Sequence, residues 1–85
     1  MAVTILYFAW LRERIGVDQE ARDLPATVTT PAALIEWLIA QGDGYREAFA
    51  DLTRIRCAID QQMASLDGQI AGAREIAFFP PVTGG

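Results

Sequence analysis

Histidine and lysine are both absent from these 85 residues, and cysteine occurs once, at Cys57. Without histidine there is no imidazole for general acid–base chemistry and no Ser-His-Asp or Cys-His pair. One cysteine and no histidine exclude zinc sites of the ordinary Cys/His type, and a lone thiol closes no intramolecular disulfide. Positive charge is scarce: seven arginines stand against 11 acidic residues, for a net charge of −4. That balance argues against counterion-driven binding to nucleic acid or anionic lipid. No run reaches the roughly 18 apolar residues that suggest a membrane span. Residues 1–10 begin a strand pattern and lack the charged start of a signal peptide. The expectation is a cytoplasmic protein with no metal, no nucleic-acid partner and no membrane contact.

What the chain has in quantity is apolar side chains, 52% of the total, with a mean hydropathy of +0.19. A chain of this length makes one domain and buries roughly 60 to 65% of the surface of its unfolded form. So high an apolar content in so small a domain leaves apolar surface over after folding, which is a candidate interface.

Val3 to Phe8 (VTILYF) is rich in β-branched and aromatic residues and apolar on both alternations, Val3, Ile5 and Tyr7 on one and Leu6 and Phe8 on the other, as a central strand is. Leu11 and Ile15 have helical spacing over residues 9–15, and Gly16 closes that helix. Residues 18–24 are polar and suit an exposed edge strand. Thr30 is a natural N-cap with Pro31 in the first helical position, and Leu34, Ile35, Trp37, Leu38 and Ile39 form an apolar stripe that closes at Gly42. Tyr45, Phe49 and Leu52 predict a second short helix. Ile55 to Asp60 alternates, with Ile55, Cys57 and Ile59 inward. A turn at Gln61-Gln62, a short piece over 63–66, an Asp67-Gly68 turn and a last strand over about 74–79 complete the chain. Strand, strand, helix, strand, strand in this length is an α+β, β-grasp (ubiquitin-like) arrangement: a mixed sheet with its main helix on one face.

The last residues carry the chemistry. Pro80 and Pro81 have no N–H, fix φ near −65° and force extended geometry on the residue before them, so the strand must stop near Phe79. The expected division is a β-grasp domain over 1–79 and an extended tail over 80–85 that reaches roughly 20 Å. Gly84 and Gly85 add no Cβ bulk, which suits a narrow channel in a partner. The reactive group so presented is the carboxylate of Gly85. Adenylation would make it electrophilic, sulfide or a persulfide could then attack, and the resulting thiocarboxylate sulfur is a strong nucleophile.

With FAWLRERIG after the first strand, DQQMASLDG in the second half and IAFFPPVTGG at the end, the whole chain resembles the MoaD-type small, sulfur-carrying subunits of molybdopterin synthases. The resemblance implies a carrier that is not an enzyme on its own. Gly85 would be adenylated by a ubiquitin-activating-type adenylyltransferase that uses ATP, then converted to a thiocarboxylate with sulfur from a donor protein. Pro80, Pro81, Val82, Thr83 and Gly84 would thread the large subunit of the synthase, in a heterotetramer of two small and two large subunits. Two such sulfurs would complete the dithiolene of molybdopterin from its cyclic pyranopterin monophosphate precursor. No cofactor is expected on this chain. One departure from the relatives is Asp60, where they often carry Asn.

Beside that reading stand a carrier for another pathway, of the thiamine type, a ubiquitin-like protein modifier and a non-covalent adaptor. Thiamine-type carriers lack the FFPPVT approach to the glycines. Cys57, between Ile55 and Ile59, is expected to fill the core. Trp37 is expected to pack, Trp10 is undecided between core and rim, and Arg12, Arg14, Arg54 and Arg56 are expected on the solvated surface. A single helix covers one side of a sheet, so Phe8, Phe78 and Phe79 are the expected partner interface, with at least one exposed when the chain is alone.

Overall fold

The computed structural model describes residues 2–81. Five strands form one mixed sheet in the order β2-β1-β5-β3-β4. They are β1 (Val3–Tyr7), β2 (Gln19–Arg22), β3 (Arg56–Ile59), β4 (Gln62–Ala64) and β5 (Glu75–Phe79). The helices are α1 (Trp10–Ile15), α2 (Pro31–Ile39) and α3 (Asp43–Ala48), with a 3-10 turn at Leu52–Arg54. β1 and β5 lie side by side and parallel at the centre, while β2 and β3 flank them antiparallel. Parallel neighbours at the centre of such a sheet, joined through a helix on one face, are the β-grasp arrangement.

Alternation decides what each strand buries. Val3, Ile5 and Tyr7 of β1, Ile76 and Phe78 of β5 and Cys57 of β3 face the helical side and are buried. Leu34, Ile35 and Leu38 of α2 close over them. The Thr30 hydroxyl accepts from the Ala33 N–H at 3.1 Å, so the cap is made as the sequence predicts.

Three boundaries differ from expectation. β1 stops at Tyr7 because Phe8, Ala9, Trp10 and Leu11 make a tight turn, with the Leu11 N–H donating to the Phe8 carbonyl at 3.2 Å. α2 ends at Ile39 with Ala40 as its cap, three residues short of Gly42. α3 runs over Asp43–Ala48, not 45–52: Phe49 is buried as the spacing predicts, but Leu52 is 40% exposed. The Asp51 carboxylate accepts from the Thr53 N–H and hydroxyl, which starts a separate turn and breaks the helical spacing. Gly44 lets α3 approach α1, since a Cβ there would stand 2.8 Å from the Arg14 carbonyl oxygen.

Candidate functional site

The side of the sheet away from the helices has no layer over it among the described residues. Register pairs place Leu6 beside Ala77 and Ala77 beside Ala58, and set Phe79 opposite Arg56. Two alanines at the centre leave a shallow trough lined by Leu6, Phe8, Phe79, Pro80 and Pro81, with Gln61 and Glu75 also against it. The trough ends where β5 does.

Phe8 is 46% exposed and Phe79 half-buried, both on this open face. Phe78 is a correction to the expected interface. It is fully buried on the other face, stacked on Tyr7 with ring centroids 6.5 Å apart and edge-on to Phe49 at 5.2 Å. Adjacent residues of a strand point to opposite faces, so the FF pair divides between core and surface. Pro80 and Pro81 are half-buried at the trough's end, and Val82, Thr83, Gly84 and Gly85 lie outside the described residues. The sequence reading missed Ala58 and Ala77 as the trough's floor. Their signal was small residues at alternate positions in strands that carry large side chains elsewhere.

Cys57 is fully buried, its Sγ 3.3 Å from the Ala64 carbonyl oxygen, and burial pushes its pKa up, away from thiolate chemistry. Trp37 lies at the edge of the core beneath the Arg22 guanidinium, 4.8 Å from the ring centroid. Trp10 also packs against the core edge and carries two cations, with Arg14 at 4.9 Å and Arg54 at 5.2 Å from its ring centroid. Asp60 has φ 49° and Gln61 φ 72°, which makes the β3–β4 connection a tight turn. The Asp60 Oδ1 accepts from the Arg74 and Glu75 N–H groups at 2.9 and 3.0 Å, so it also anchors the start of β5. An asparagine would present an oxygen in the same place.

Residues 5–85, from the middle of β1 to the terminal glycines, match the ThiS family. The chain belongs to that family. A molybdopterin synthase sulfur carrier subunit of Escherichia coli is 37% identical over 83 residues, which cover 98% of this chain and 99% of the relative. Subunits of the same description from Haemophilus influenzae and Mycosarcoma maydis are 40% and 39% identical, over 98% and 99% of this chain and 99% and 94% of theirs. The fold is shared with small archaeal modifier protein 1 of Haloferax volcanii, at TM-score 0.74 and 23% identity over 95% of this chain and 98% of that one. A structure of SAMP1 from the same organism gives 0.70 and 23%, with both chains covered completely. No helix among the described residues is long and apolar enough to cross a membrane, and no group of three or more of their His, Cys, Asp and Glu side chains could hold a metal ion.

Proposed function

We infer that this chain is a sulfur carrier of molybdenum cofactor biosynthesis, the small subunit of a molybdopterin synthase. The observation that carries the inference is likeness over nearly the full length of three curated sulfur carrier subunits. The chain is the carrier, and catalysis belongs to the large subunit.

The working group is the carboxylate of Gly85. Its oxygen attacks the α-phosphorus of ATP on an activating enzyme and expels pyrophosphate, leaving an acyl adenylate. Sulfide attack on that carbonyl expels AMP and leaves the thiocarboxylate; a persulfide leaves an acyl disulfide, which a second thiol must cleave. On the synthase the thiocarboxylate sulfur attacks the pterin precursor. Hydrolysis then returns the carboxylate. Reach supports this division of labour: Pro80 to Gly85 extend at most roughly 20 Å from the sheet, far enough to enter a partner while the domain stays outside. Phe8 and Phe79, with the trough between them, supply the apolar surface on which the large subunit sits. ATP is the activating enzyme's, and no resident cofactor is assigned to this chain. The site of action is the cytoplasm, and the assembly has two small and two large subunits.

Intact-mass spectrometry after incubation with the activating enzyme, ATP and a sulfur donor tests the assignment. The expected result is exchange of one oxygen for sulfur at Gly85. No exchange, under conditions that convert the Escherichia coli relative, overturns it.

A further inference from the structure

We propose that Arg14 and Arg54, held against Trp10, and Arg56 beside Phe79 form a cationic rim that docks an acidic strip at the mouth of the large subunit's channel. The proposal rests on the function assigned above. It starts from a charge that the rest of the molecule does not explain. The chain carries −4 overall, yet four of its seven arginines, Arg12, Arg14, Arg54 and Arg56, lie where β5 leaves the sheet. The parallel pairing of β1 with β5 brings α1, which follows β1, to that end, and the antiparallel pairing of β3 with β5 brings the start of β3 there.

None of these four meets a carboxylate within 4.0 Å among the described residues, where the ion pairs are Arg22 with Glu20 and Arg46 with Asp43. Glu13 lies on α1 and Glu47 on α3, but neither is paired with them. Asp51 accepts from the Thr53 hydroxyl and N–H, which hold its carboxyl low, and the Arg54 charge adds to that from outside ion-pair distance. The guanidinium carbons of Arg14 and Arg54 lie over the Trp10 ring, 4.9 and 5.2 Å from its centroid. A cation held over a ring gives up part of its freedom and keeps N–H groups for a carboxylate, so both charges are placed before any partner arrives. Arg56 shares the open face with Phe79, directly opposite it in the register, and its Nη1 donates to the Thr53 and Ile55 carbonyl oxygens at 3.2 and 3.0 Å, which leaves its other N–H groups for a partner. The charge is therefore continuous with the apolar docking surface.

Reach decides what the rim meets. Six residues from Pro80 to Gly85 span at most roughly 20 Å, so a partner that takes up this arm must close its own surface around the exit of β5. What lies beside these guanidiniums is the partner protein's surface around the entry. Charges at such a rim steer encounter and act on the association rate more than on dissociation.

The test is stopped-flow association of the full chain with the purified large subunit at several salt concentrations. For the unaltered chain, the association rate is expected to fall at least about fivefold between low and moderate salt. Arg14→Glu with Arg54→Glu should lower the low-salt rate about tenfold or more and flatten the salt dependence, with the dissociation rate nearly unchanged. Arg74→Glu, the same kind of charge change at the opposite end of β5, should alter the rate less than about twofold. Should the double variant not melt cooperatively, Arg54→Gln alone is read instead, with an expected fall of about threefold. A folded rim variant with native rate and native salt dependence overturns the proposal, as does an Arg74→Glu effect of equal size. A chain that is not sulfurated and does not bind the large subunit overturns the function assignment and this proposal together.

Discussion

Ala9 sits at φ 55° and ψ −134°, the first central position of a type II′ turn, where glycine is the residue without a steric penalty. The turn sets Phe8 on the open face and starts α1 at Trp10, so its strain lies between the docking surface and the cationic rim. Relief of strain at such a position is of order 1 to 3 kcal/mol, while glycine's extra unfolded-state freedom costs about 0.5 to 1 kcal/mol. The strain term is the larger. Ala9→Gly is therefore expected to stabilise the chain by about 0.5 to 1 kcal/mol, read as a higher urea midpoint at unchanged slope, and a lower midpoint would show that the backbone is unstrained there. Cys57 is the contrasting case. Its alternation with Ile55 and Ile59 made the core position legible in the sequence, but the acceptor at Ala64 was not, because that contact crosses from β3 to β4. A serine hydroxyl inherits that acceptor, so Cys57→Ser is expected to cost only about 1 kcal/mol and to leave sulfuration at Gly85 untouched. Loss of sulfuration in a folded Cys57→Ser chain would assign the thiol a chemical role.

At the scale of elements, β2 is the strand whose sequence says least about its packing. QEAR reads as a polar edge, yet Glu20 and Arg22 turn toward the helical side and are half-buried. Glu20 accepts from the Tyr7 hydroxyl at 2.7 Å, the Tyr45 hydroxyl at 2.6 Å and Arg22 Nη1 at 3.0 Å. Arg22 Nη2 donates on to Gln41 at 2.7 Å. One carboxylate thus ties β2 to β1 and α3, and the arginine carries the link past the end of α2. Partners 13 and 25 residues away in the chain leave no local pattern to read. Burial by itself would raise the Glu20 carboxyl, but the hydrogen bonds from Tyr45, Tyr7 and Arg22 outweigh it and hold the pKa below the usual 4.5. A depressed folded pKa means stability that is present above the ordinary carboxylate range and lost as pH falls through the folded value. Glu20→Gln is expected to destabilise by about 1 to 2 kcal/mol at neutral pH. The gap between the two chains should narrow as pH falls below the ordinary carboxylate value, which thermal melts across an acid series measure. A gap that stays constant to the lowest pH would show that the Glu20 charge contributes nothing.

At the scale of the whole molecule, the sheet separates two tasks by alternation alone: one face holds the domain together, and the other is free for a partner. The sequence showed that β1 and β5 were apolar on both faces, but which phenylalanine went where depended on the register, and Phe78 went inward. The end of β5 at Phe79 was legible for a different reason, because the prolines after it constrain the backbone locally and need no tertiary context. Pro80 and Pro81 follow the end of β5 and line the end of the trough. Gly85 lies beyond them and has no side chain to bury, so one extra alanine after it should change the melting free energy by less than about 0.5 kcal/mol. The same addition moves the free carboxylate by about 3.5 Å and adds a methyl group at the tip of the arm. A misplacement of about 1 Å can cost roughly a hundredfold in rate, so thiocarboxylate formation on the extended chain should fall below detection while its melt is unchanged. Deleting Gly85 should act in the same way, by leaving the arm one residue short. Intact-mass spectrometry of both variants, with the activating enzyme, ATP and a sulfur donor, reads the chemistry, and a parallel melt reads the fold. If the folded, extended chain is sulfurated at the native rate, the carboxylate of Gly85 is not the group that carries sulfur.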